Sequence, residues 1–98
     1  MNKITLQEII NKKLNTCTLS PDELITDAYL ATTKCANGEF DTKDMVSAYL
    51  AAEVAVQANK ACGISVPNIE LAAAGIKKTL GFDTDQDIAD FYMEQLDK

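Results

Sequence analysis

The sequence predicts an all-α fold: one compact domain of about five short helices, spanning residues 1–98, packed around a central apolar third helix. Three observations predict it. Helix-entry signatures recur along the chain, glycines follow the segments they open, and the apolar residues between fall at three- and four-residue spacing. No run alternates as a half-buried strand would, and 98 residues with 47% hydrophobic side chains suffice for one core.

Ile4-Thr5-x-x-Glu8-Ile9 opens the first helix, expected over Thr5–Leu14. The Thr side chain takes an orphan backbone N–H, the Glu reaches back, and the two isoleucines clasp across the turn. Leu19-Ser20-x-x-Glu23-Leu24 repeats the device, with Pro21 at the first helical position, and predicts a helix over Pro21–Ala36 that stops at Asn37-Gly38. Phe40-Asp41-x-x-Asp44-Met45 opens a third helix over Thr42–Cys62, stopped by Gly63. Its one sizeable polar stripe is Glu53, Gln57 and Lys60, expected to face water; the rest of its circumference is apolar, which makes it the central helix. Ile64-Ser65-x-x-Asn68-Ile69, with Ser65 as cap, leads into Pro67–Leu80 and stops at Gly81. Phe82-Asp83-x-x-Gln86 leads into Thr84–Leu96, whose apolar face is Ile88, Phe91, Tyr92 and Leu96.

Composition narrows the function classes. Net charge is −6, with no His, no Arg and no Trp. Without His the usual general base and the commonest metal ligand are missing, so no Ser–His–Asp or Cys–His site can form. No Gly-rich phosphate loop follows a strand, so the sequence predicts no catalytic residue, no cofactor and no metal site. Residues 67–98 set seven carboxylates against three lysines, a balance that disfavours nucleic acid as a partner. The longest apolar stretch, Met45 to Ala58, is too short and polar to span a bilayer, and Met1–Thr5 leads into a charged amphipathic segment; a cytoplasmic location without membrane attachment is expected. Cys35 and Cys62 fall at apolar helical positions and are expected as small buried hydrophobes, with Cys17 in a loop.

Three local strings resemble known motifs. Gly63-Ile64-Ser65-x-x-x-Ile69 resembles the turn of a helix-turn-helix, making residues 54–78 the alternative, a DNA-binding regulator. Asn59 stands where that family wants Ala, and the leading surface of the fourth helix offers only Asn68 to base edges. Ser65-Val66-x-x-Ile69-Glu70-Leu71 resembles the phosphopantetheine attachment helix of acyl carrier proteins, which implies Ser65 as the carrier of the arm; the family's Asp before that Ser is Ile64 here. Asp83, Asp85, Asp87 and Glu94 occupy four ligand positions of an EF-hand loop, but Ile88 replaces the Gly its turn requires.

Two surfaces carry interaction content. Ala48, Ala51, Ala55, Ala58 and Cys62 form a seam of small side chains along the third helix, suited to close approach by another helix of the chain or of a second copy. Asp83, Asp85, Asp87, Asp90 and Glu94 make an acidic face that would steer toward a basic partner. The expected function is a non-enzymatic protein-interaction module: an accessory factor, inhibitor or antitoxin-like regulator whose partner is another protein or its own copy. Tyr29, Tyr49 and Tyr92 are expected in the core or lining a small-ligand pocket.

Overall fold

Thr5 and Glu8 close a reciprocal capping box at the start of α1 (Leu6–Thr16) in the computed structural model, which describes residues 3–36, 38 and 41–96, without the side chains at 36 and 96. Thr5 N–H donates to Glu8 Oε1 at 3.3 Å, and Glu8 N–H donates to Thr5 Oγ1 at 3.1 Å. Ser20 and Glu23 exchange the same pair at the start of α2 (Pro21–Ala36), at 3.0 and 3.3 Å. Donation from the Ser20 backbone, then from its hydroxyl, holds the Glu23 carboxyl below the usual carboxylate range. Asp41 Oδ1 accepts the Asp44 N–H at 2.9 Å and opens α3 (Thr42–Ala61).

Of the last two helices, α4 (Pro67–Leu80) has its expected bounds and α5 (Asp85–Leu96) begins one residue later than expected, and both are capped one residue after the expected position. Pro67 at the first helical position places the N-cap of α4 on Val66, so Ser65 lies outside the helix and makes no cap bond. At α5 the cap is Thr84, whose Oγ1 accepts the Asp87 N–H at 3.2 Å, rather than Asp83. Gln86 is thereby freed for tertiary work: its Nε2 donates to the Ile4 carbonyl at 2.8 Å and ties the N-terminal segment to α5. Gly81 sits at φ +72°, the left-handed geometry that ends α4. Asn37, Phe40 and the Leu96 side chain lie outside the described residues.

All four other helices pack on α3, α2 and α4 most extensively, as its nearly all-round apolar surface predicts. Val46, Leu50, Ala52 and Val54 meet Ile9, Ile10, Leu24, Ala28, Ile69 and Ile88 in one core. The radius of gyration is 12.9 Å, against about 13 Å for a folded domain of 100 residues. Among the described residues no helix is long and apolar enough to cross a membrane.

The polar stripe of α3 departs from expectation. Glu53 and Gln57 are half-buried, and only Lys60 is exposed. Gln7 on α1 and Gln57 exchange amide hydrogen bonds at 2.7 and 3.2 Å, so α1 leans over the stripe and supplies the partner that water was expected to provide.

Candidate functional site

The corner between α3 and α4 is built by backbone hydrogen bonds. Ile64 N–H donates to the Asn59 carbonyl at 2.8 Å and Gly63 N–H donates to the Lys60 carbonyl at 3.0 Å, the paired bonds of a Schellman stop. Gly63 occupies φ +78°, where a side chain would be strained. Val66 then accepts the Ile69 and Glu70 N–H groups and starts α4. A groove of about 260 Å³ lies over this corner, with Val56, Ile64 and Val66 as its apolar wall, Lys60 and Glu70 as its charges and Ser65 on its rim. Ile64 is exposed, and Leu71, next to Glu70, is 72% exposed. Leu30 on α2 is exposed too.

Each expected seam residue has its place. Ala48 and Ala55 are buried, Ala51 and Ala58 are half-buried, and Cys62 is exposed. Asn59, one turn beyond Ala55, donates from Nδ2 to the Pro21 carbonyl at 3.1 Å, which turns this face of α3 toward α2. The chain's own helices thus bury Ala48 and Ala55. Cys62 was expected buried; it is instead the C-cap, where α3 has already run past the packed part of the seam. Cys35 is half-buried, and burial, then Asp44, pushes its thiol up. Cys17 is half-buried, and its Sγ accepts the Leu19 N–H at 3.4 Å.

The acidic residues divide. At 100° per residue, Asp87, Asp90 and Glu94 share one side of α5 and Asp85 lies opposite. Asp85 forms an ion pair with Lys77 of α4. Asp90 accepts from Gln86 at 3.0 Å and pairs with Lys3 at 3.4 Å; the Gln86 bond first, then Lys3, lowers its carboxyl. Asp83 and Asp87 are exposed. The EF-hand-like string folds as the start of a helix, with Ile88 in the core at the position where a loop would turn.

Where α3, α4 and α5 meet, Glu53 lies near Tyr49, Glu70, Lys77 and Asp85. Burial raises the Glu53 carboxyl, with Asp85 and Glu70 adding to the rise while the Gln57 amide and Lys77 oppose it. Burial, then Glu53 and Asp85, pushes the Tyr49 phenol up to about 12. A carboxyl whose folded pKa exceeds its unfolded value binds its proton more tightly in the native state. Its contribution is therefore favourable at low pH and is lost as pH rises from the unfolded value through the folded one. Glu53→Gln is accordingly expected to stabilise the fold at pH 7 and to bring little gain near pH 3, as read by urea unfolding at both values. Equal effects at the two pH values would show that Glu53 titrates normally.

Asn59 escaped the sequence reading as a structural residue. It is fully buried, and a second bond from its Nδ2 goes to the Ala55 carbonyl at 2.8 Å. The available signal was its polar side chain four residues after Ala55, on the face where Ala48, Ala52 and Ala55 recur. Comparison with protein-family models, with curated proteins and with solved structures finds no match to this chain.

Proposed function

We propose that this chain is a non-enzymatic protein-interaction module that docks through the α3–α4 corner onto a partner protein presenting an apolar side chain framed by basic residues. The observation that carries it is Leu71, 72% exposed and next in sequence to Glu70, which lines a groove already walled by apolar side chains with Ile64 exposed on it. An apolar anchor point edged by charge is the usual composition of a binding centre and its rim. Lys60 and Glu70 balance at the groove itself, while residues 67–98 carry net −4, so long-range attraction favours a basic surface. Accessory factor, inhibitor and antitoxin-like regulator are the roles that such a module would fill.

Leu71→Glu and the wild type, both tagged and checked for equal helicity, are compared in quantitative capture from the native host. The expected result is a basic protein recovered by the wild type in a salt-sensitive manner and lost with Leu71→Glu. Recovery of the same proteins by both removes the corner as docking surface. Sedimentation of the untagged chain reads the self-association branch: a dimer that Leu71→Glu dissociates makes a second copy the partner. A salt-sensitive shift of duplex DNA, retained by Leu71→Glu and lost with Lys78→Gln, would favour the DNA-binding regulator instead.

A further inference from the structure

On the side of the molecule built by α1, α3 and α5, a groove of about 340 Å³ brings together two lysines, Lys13 and Lys43, with Ser47 and Gln95. Its apolar surface is that of the half-buried Phe91 and Tyr92, with the buried Val46 also lining it. Lys13 is half-buried, with its ammonium 5.1 Å from the centre of the Tyr92 ring. Among the described residues, Lys43, Ser47 and Gln95 make no hydrogen bond or ion pair, whereas Lys3 and Lys77 are matched by Asp90 and Asp85. Lys43 also occupies the first turn of α3, where the helix dipole disfavours a cation. In a chain of net charge −6, the groove sets two cations without carboxylate partners among the described residues over an aromatic surface.

We infer that this groove binds a free anionic amphiphile, a carboxylate carried on an extended apolar body. The anion would lie between Lys13 and Lys43, with the Ser47 hydroxyl and Gln95 amide completing its hydrogen bonds. The body would rest on Phe91 and Tyr92. A few polar groups placed over a mostly apolar cleft of this volume are what small-molecule sites present. The shape selects an extended body over a compact one. Lys13 and Ser47 also border a second groove of about 300 Å³, which runs between α1, α2 and α3 past Leu24, Ala51 and Val54. Asp27 lies on that second groove, so the anionic end belongs on the Lys43 side. The inference is independent of the α3–α4 corner, with which this groove shares no residue.

Sodium decanoate, kept below micellisation, is the probe, titrated calorimetrically into the full chain. Acetate tests for an anion without a body, and decylammonium tests for a body with the opposite charge. The expected result is saturable one-to-one binding of decanoate, weakened about tenfold by Lys43→Gln, since one charge-assisted hydrogen bond is lost. Lys43 is exposed, so the variant keeps the fold, and its circular dichroism checks this. Lys13→Gln is expected to weaken binding as well. Absence of saturable decanoate binding overturns the inference. So does equal binding of decylammonium or of acetate, or an affinity unchanged by Lys43→Gln. Co-sedimentation with phosphatidylglycerol vesicles without binding of free decanoate would assign the lysines to a lipid surface and overturn it too.

Discussion

Asn59→Asp is expected to lower the stability of the fold by roughly 3–5 kcal/mol at neutral pH, a large share of the roughly 5–15 kcal/mol of a small domain. Asn59 is fully buried, and its Nδ2 donates to two carbonyls, Pro21 at the start of α2 and Ala55 one turn back on α3. An aspartate puts an oxygen where the donor stood, so a desolvated charge faces two carbonyl oxygens. Its Oδ1 position already lacks a partner among the described residues, so nothing there offsets the second oxygen. Protonation restores one donor, and burial raises the carboxyl. The loss should therefore shrink as pH falls through the raised value, because the protonated form is the one that the native state tolerates. Asn59→Ala carries no charge and is expected to cost about 1–3 kcal/mol, from two lost hydrogen bonds and a small cavity, with no such pH dependence. Urea unfolding at pH 4 and pH 7 separates the two variants. Asn59→Asp at wild-type stability would mean that the amide does not hold α2 against the C-terminal half of α3.

The helices were legible because their signals are local. A cap and its partner sit three residues apart, so Thr5–Glu8 and Ser20–Glu23 are readable without any tertiary knowledge, as are the glycine stops at Gly63 and Gly81. The errors of one residue lie at the helix entries. Before α4, Pro67 at the first helical position leaves the N-cap position to Val66, which has no capping side chain, although Ser65 precedes it; before α5, Asp83 and Thr84 compete, and the Thr hydroxyl wins. What the sequence withheld is set by neighbours remote in the chain. Spacing shows that Ala48 to Cys62 form one face, but not that the covering helix gives out before Cys62. Spacing also shows that Glu53 and Gln57 share a stripe, but not that Gln7, fifty positions earlier for Gln57, will lie over it. The lysine groove is less legible still: Lys13, Lys43 and Tyr92 belong to three segments, and only the packing of α1 and α5 on α3 makes them neighbours. The central place of α3 is the tertiary feature that composition alone conveyed, and one substitution tests it directly.

Ala55→Leu is expected to destabilise the fold by about 1–3 kcal/mol, the range for extra methylenes forced into a filled core. Ala55 is 0% exposed, between Ala52 and Asn59 on the α3 face that Pro21 anchors to α2. Small side chains on that face let the two helices approach closely, and a leucine must displace α2 or leave its preferred rotamer. The Asn59–Pro21 bond lies one turn away, so displacement would strain it too and push the loss toward the upper end of the range. Because the chain's own helices bury this position, the loss should be the same at every protein concentration. A face shared between two copies would behave differently: the wild-type melting temperature would rise with concentration, and the substitution would dissociate the assembly. Ala74→Leu is the matched control, an exposed alanine on α4 where the change should stay within about ±0.5 kcal/mol. Melting curves over a hundredfold range of concentration read both variants at once. If Ala55→Leu were as silent as Ala74→Leu, α2 would not pack on this face and α3 would not be the helix around which the others are arranged.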